Sequence, residues 1–112
     1  MSIWDNSRYF EASEFGDHAA KMNPALIERL NYARSISGVP YHISSHYRSD
    51  DPGAHGDGDA VDIKCASSGE RFSILLGLVA AGFTRIGIYD KHCHADVSES
   101  RDQRVIWIGK SQ

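Results

Sequence analysis

Two short stretches of this chain concentrate side chains that bind metals and move protons. In the first, His55-Gly-Asp-Gly58-Asp-Ala60-Val-Asp62, an aspartate follows a histidine after seven residues. The glycines between them let the chain turn back, so both side chains can aim at one spot. In the second, His92-Cys93-His94-Ala95-Asp96, three polar groups alternate with two small apolar ones. Read as a strand, this run puts His92, His94 and Asp96 on one face and turns Cys93 and Ala95 toward the core. A face with two imidazoles and a carboxylate is a poor hydrophobic surface, so it needs another purpose. Imidazole nitrogen and carboxylate oxygen both bind zinc at about 2.0–2.2 Å. Each stretch alone is a weak signal, since a His-x-His on a strand is more often solvated. Together His55, Asp62 and His94 supply three protein ligands and leave a fourth position for water. That is the pattern of a catalytic zinc; structural zinc takes four protein ligands and favours cysteine.

These residues need a frame. The N-terminal stretch to about Met22 has weak signals: Ser13-Glu14-Phe15 can open a short helical turn, and Tyr9, Phe10 and Phe15 can cover one side of a core. The first clear helix starts at Asn23-Pro24, where Asn23 can cap free N–H groups and Pro24 suits the first helical position. Leu26, Ile27, Leu30 and Ala33 recur at helical spacing, and Gly38 and Pro40 end the helix. Tyr41 to Ser45 reads as a strand, residues 49 to 58 as a loop, and Asp59 to Cys65 as a strand with Val61, Ile63 and Cys65 on one face. Ser67 with Glu70 predicts a capping box for a second helix. Its expected buried stripe is Phe72, Leu75, Leu76 and Val79, and Gly82 stops it. Arg85 to Tyr89 and His92 to Val97 predict two strands joined by a tight turn at Asp90-Lys91. Arg104 to Ile108 predicts a last strand at a sheet edge. The sum is an α+β fold: one domain over residues 1–112, with two main helices packed on a mainly antiparallel sheet.

Composition narrows the function classes. The chain has 112 residues, a formal net charge of −3, 41% hydrophobic and 24% charged residues. This is the range of a globular domain rather than a disordered chain. No run approaches the ~18 apolar residues of a membrane span, so no membrane insertion is expected. A nucleic-acid binder relying on phosphate contacts carries a basic excess, which is missing here. Cys65 and Cys93 are too few for a disulfide scaffold and read as reduced small hydrophobes, with a single bridge as the alternative. The start, Met1-Ser2-Ile3-Trp4-Asp5, carries no secretory signal pattern, so synthesis in the cytoplasm is the expectation. Trp4 and Trp107 read as packing or edge residues rather than a sugar platform. His18 and His42 read as structural or exposed, and Asp57 and Asp59 as solvating the loop.

The combination His55-x-x-Gly58-x-Ala60-x-Asp62 followed by His92-x-His94 resembles the zinc D-Ala-D-Ala carboxypeptidases and related D,D-peptidases that cut peptidoglycan. The vancomycin-resistance dipeptidases and hedgehog signalling domains share that zinc scaffold. Ser44-Ser45-His46-Tyr47-Arg48-Ser49 is similar to the family's Ser-Gly-Tyr-Arg-Ser segment, and Gly82-Phe83 and Gly87-Ile88-Tyr89 fit the run before its last ligand. The likeness covers roughly residues 10 to 97. In size and missing signal the chain looks like the small phage-encoded members that serve as endolysins, which reach the wall on host lysis or as a virion component.

The resemblance implies a hedgehog-like fold, Zn2+ held by His55, Asp62 and His94, and hydrolysis of D-Ala-D-Xaa bonds in peptidoglycan stem peptides by a monomer. It makes Arg48 the residue that binds substrate or stabilises the oxyanion. His92 matches a position where relatives often keep an active-site histidine. The chain also departs from the pattern. Gly53 stands where the family commonly has Ser, and His46 replaces a glycine, which narrows the pocket. Lys91 occupies the position of the usual Glu or Asp general base, so either the adjacent Asp90 or His92 takes that role. Asp96 is a candidate support for a ligand or a loop-end carboxylate. Endopeptidase and carboxypeptidase both remain open. The alternative to hydrolysis is a zinc-binding wall-recognition or virion-associated domain.

Overall fold

A computed structural model describes residues 3–45 and 57–109 of the chain. After two 3-10 segments, Ile3–Asn6 and Ala12–Lys21, come helix α1 (Pro24–Ser37), strands β1 (Ile43–Ser45) and β2 (Ala60–Lys64), and helix α2 (Ser68–Ala80). Strands β3 (Arg85–Ile88), β4 (His92–Asp96) and β5 (Val105–Ile108) complete the fold. The strands form one sheet in the order β1-β2-β4-β3-β5. Three neighbouring pairs run antiparallel, and β5 joins β3 in parallel. The sheet is therefore mixed, within an α+β architecture that has two main helices. No helix among the described residues is long and apolar enough to cross a membrane.

Local chemistry sets α1 as the spacing predicts. The Asn23 side chain accepts from the Ala25 N–H, Pro24 opens the helix, and Gly38 ends it in the left-handed conformation. Leu26, Ile27, Leu30 and Ala33 are all buried. At the start of α2, Ser67 accepts from the Glu70 N–H, satisfying one of the donors a helix leaves free at its N-terminus. The helices pack against one face of the sheet. There the core joins Leu26, Ile27, Leu30, Ile74 and Leu78 to Val61, Ile63, Ile86, Cys93 and Ala95.

The buried stripe of α2 corrects the reading of its sequence. Phe72, Leu76 and Val79 are exposed and Leu75 is half-buried, while Ile74, Gly77 and Leu78 face the core. The two stripes lie on nearly opposite sides of the helix. Apolar residues occupy almost every side of α2, so spacing could not choose the rotation. The smallest residue chooses it. A Cβ on Gly77 would stand 2.4 Å from the Ala33 carbonyl oxygen and 2.7 Å from the Tyr41 hydroxyl. That hydroxyl donates to the Ile74 carbonyl (3.3 Å). The helices approach as closely as they do because Gly77 has no side chain.

Both cysteines are free and buried, in line with the reduced reading. Burial, reinforced by neighbouring Cys65, pushes the Cys93 thiol from an ordinary 9.0 up to about 12.

Two outcomes follow from this packing. Gly77→Ala should destabilise the fold by about 1–3 kcal/mol in urea unfolding, the usual cost of overpacking. Between pH 9 and 12 the folded chain keeps a Cys93 proton that the unfolded chain has released, so stability falls as pH rises. From pH 8 to pH 10 the wild type should lose about 1.4 kcal/mol more than Cys93→Ala; equal losses in urea melts would contradict the buried thiol.

Candidate active site

The sheet face turned away from the helices carries Asp62, His92, His94 and Asp96, four of the residues singled out in the sequence. In the β2–β4 ladder Asp62 stands opposite His94, Lys64 opposite His92, and Ala60 opposite Asp96. Directly opposed residues point to the same side of a sheet. The alternation inferred for β4 holds: Cys93 and Ala95 are fully buried in the core, and His92, His94 and Asp96 share the other face. Gly58 helps bring β2 to this register. It adopts φ +76°, which a side chain rarely permits, and a Cβ there would collide with the Lys21 carbonyl. Its own carbonyl accepts from the Asn23 N–H (2.9 Å), and Asp59 accepts from the Asn23 side chain (2.9 Å), tying the strand entry to the start of α1.

His94 lies between two carboxylates. Its Nδ1 is 3.1 Å from Asp62 Oδ1, and its Nε2 is 2.7 Å from Asp96 Oδ2. A neutral imidazole has one N–H and can donate to only one of them. Burial works against a charge on the ring, but the hydrogen bonds to Asp62 and Asp96 and their negative charge outweigh it, so the His94 pKa is raised. Asp96 is 1% exposed, yet both its oxygens are engaged. Oδ1 accepts from Arg85 Nε (2.8 Å) and from the Ser98 N–H (3.1 Å). Burial would raise its pKa, but these partners, His94 foremost, hold it below the ordinary carboxylate value.

The His94–Asp62 pair suits a small divalent ion. Two ligands about 2.0–2.2 Å from one tetrahedral ion stand about 3.3–3.6 Å apart, close to the 3.1 Å between Nδ1 and Oδ1. A cation there would take the place of the Nδ1 proton, while Nε2–H stays on Asp96, the partner that fixes a ligating histidine. Among the described residues no group of three His, Cys, Asp or Glu side chains forms a metal site. The expected third ligand, His55, and the expected substrate residue, Arg48, lie outside the described residues.

His92 and Asp90 are placed differently. His92 is half-buried, with Nε2 3.8 Å from Asp62 Oδ1. Asp90 is exposed in the turn between β3 and β4, where its carbonyl accepts from Arg71 (2.9 Å). Both line an open cleft of about 710 Å³ that also includes Ser44, Lys64 and Lys91.

Three residues of this face are not marked as part of a site by the sequence. Arg85, Tyr89 and Trp107 surround the histidines: Tyr89 stacks on His92 (4.3 Å between centroids, 10° between planes), Trp107 tilts against His94 (5.3 Å), and Arg85 lies over the Trp107 ring (5.1 Å). Trp107 is on the edge strand, as expected, but it is also part of the site face. Alternation along β3 does place Arg85, Gly87 and Tyr89 together. What the sequence lacks is the β3–β4 register that sets them beside His94, and the parallel pairing that sets Trp107 opposite Gly87.

Removing Asp96 should expose this dependence. Asp96→Ala leaves Arg85 largely buried without its counter-charge, and breaking such a pair costs about 3–5 kcal/mol. Arg85 retains the Asp102 carbonyl (2.5 Å), so urea unfolding should give a loss near the lower figure. Asp96→Asn should lose less, because its side-chain oxygen can still accept from Ser98. A loss within 0.5 kcal/mol for Asp96→Ala, the usual range of a surface change, would contradict the anchoring role.

Compared with known proteins, the chain matches no family model, no curated protein and no solved structure.

Proposed function

We propose that this chain is a zinc peptidase of the D,D-peptidase type, with the hedgehog-like arrangement of that group, and that it hydrolyses D-Ala-D-Xaa bonds in peptidoglycan stem peptides. The observation that carries this reading is His94 held between Asp62 and Asp96, with Nδ1 facing the Asp62 carboxylate at 3.1 Å. An imidazole oriented from behind by a buried carboxylate, and opposed in front by a second one, is the donor geometry of a histidine ligand. His55, Asp62 and His94 would hold the ion. Bound zinc would supply Lewis acidity, polarising an amide carbonyl and bringing the acidity of water close to neutral pH.

The remaining roles fall to the chain's own groups. Asp96 keeps His94 in one tautomer. His92 and Asp90 both line the cleft, and either can take a proton from water and return it to the leaving amine. Arg48 is assigned to the substrate: its planar guanidinium can hold a carboxylate or a developing oxyanion in fixed geometry, and it stays charged. The enzyme would reach the wall after host lysis or as part of a virion. Lys91, in place of an acidic base, favours one second reading: a zinc-binding wall-recognition domain that does not hydrolyse.

The test joins a metal assay to product analysis. The purified chain should bind about one zinc and release new amino termini from peptidoglycan or a D-Ala-D-Ala peptide. Phenanthroline should abolish release and added zinc restore it, and His94→Ala should lower bound zinc well below one per chain. Turnover unaffected by chelation would overturn the metal mechanism. Zinc and wall binding without turnover would favour the recognition domain.

A further inference from the structure

We propose that the free edge of β5 and the exposed apolar face of α2 form one surface that pairs this chain with a second copy of itself. The family likeness implies a monomer; the folded surface suits a two-fold dimer, whether or not the chain is a peptidase. β5 ends the sheet, with β3 as its sole strand neighbour among the described residues. The Val105 and Gly109 N–H groups donate to the Thr84 and Ile88 carbonyls (3.0 and 2.9 Å). Backbone groups alternate sides along a strand, so those of Ile106 and Ile108 point off the sheet. Natural edge strands are kept from pairing by lysine, proline or bulges, whereas β5 reads Val-Ile-Trp-Ile. The opposite edge is guarded: β1 has three residues, two of them serines, and an irregular register against β2.

The side chains at this edge continue onto α2. Ile106 stands opposite buried Ile86, so Ile106 and Ile108 project to the helix side of the sheet. α2 runs antiparallel to β5. At its start Arg71 donates to the Tyr89 carbonyl beyond β3 (3.1 Å), and at its end Val79 lines a cavity of about 340 Å³ with Ile106. Phe72, Leu76 and Val79 follow at i, i+4 and i+7, one face of the helix. With Ile106 and Ile108 they make a patch of five large apolar residues, each 50–85% exposed. The patch holds on the order of 600 Å² of accessible surface, the upper end of what a lone domain leaves bare. A stable pair buries about 800 Å² on each partner, so these five residues supply most of it. None of the five is charged, so the patch meets its own copy without repulsion. A two-fold axis normal to the sheet fits both halves of the surface. It makes the joined β5 strands antiparallel and sets both α2 helices on one side of a continuous sheet. The Ile106 and Ile108 backbone groups then find partners, and the α2 residues that their spacing marks for burial are covered at the seam.

The experiment uses the full chain, its mass read by sedimentation equilibrium from micromolar to millimolar concentration and its backbone amides by hydrogen exchange over the same range. The wild type should reach the mass of two copies, and the Ile106 and Ile108 amides should exchange more slowly as the pair forms. Ile108→Lys and Leu76→Lys change positions exposed in the single chain, so both should keep the wild-type melting temperature. Each should weaken association at least about 30-fold, the scale of a central interface residue. Glu28→Lys, on the exposed side of α1, should leave association unchanged. A wild type that stays monomeric at millimolar concentration overturns the pairing and leaves the patch to a different protein. Association untouched by both lysine variants places the interface elsewhere and overturns it too, and masses that grow past two copies overturn the two-fold arrangement. If the lysine variants do not fold, the wild type still decides: Ile106 and Ile108 amides that exchange equally fast in dilute and concentrated samples overturn the proposal. None of these readouts uses turnover, so the pairing stands or falls apart from the peptidase.

Discussion

The buried carboxylate of Asp96 is the constraint on which the site face depends. A carboxylate almost out of water is tolerated only when its oxygens find donors. Asp96 draws them from three places: His94 on its own strand, Arg85 on β3 and the Ser98 backbone beyond β4. Each contact fixes something different. His94 is held edge-on to Asp62, Arg85 pins β3 to β4, and Ser98 fixes the exit of β4. Arg85 extends the constraint to the edge strand by lying over Trp107 and donating to the Asp102 carbonyl. Ring orientation, strand pairing and edge packing thus share one electrostatic anchor.

The sheet separates two tasks by the alternation of its strands. One face joins the helices in an apolar core and supplies stability. The other carries imidazoles, carboxylates and aromatic rings that contribute little hydrophobic burial. β2 and β4 sit near the middle of the sheet, where neighbours on both sides fix their register. Asp62 and His94 therefore meet on the most constrained backbone available, and the more exposed Asp90 is left to the hairpin tip.

Much of this could be read from residue order. The N-caps Asn23 and Ser67, the apolar spacing of α1 and the alternation of β4 are local signals, and each holds in the folded chain, although of the capping box expected for α2 only the Ser67 half forms. The pairing of Asp62 with His94 was legible as a convergence, because both belong to strands whose polar groups needed somewhere to point. Two features were not legible. The rotation of α2 depends on Gly77 meeting Ala33, a contact between distant residues that the apolar pattern of a nearly all-round hydrophobic helix cannot reveal. The placement of Arg85, Tyr89 and Trp107 depends on strand order and on a parallel pairing, which are properties of topology. His55 and Arg48 lie outside the described residues, so that half of the expected constellation has no structural counterpart here.

The position of Cys93 limits the donors this face could offer to an ion. It sits between His92 and His94 in sequence, yet the pleat of β4 sends its sulfur to the opposite side of the sheet. There it is sealed from solvent and keeps its proton far above neutral pH. Sulfur binds metals as the thiolate, so the Cys93 thiol offers nothing to an ion arriving at the polar face. A cation there would meet imidazole and carboxylate, a donor set without the softness that favours copper(I). By turning one sulfur inward, the pleat of a single strand leaves nitrogen and oxygen as the donors this strand could offer an ion.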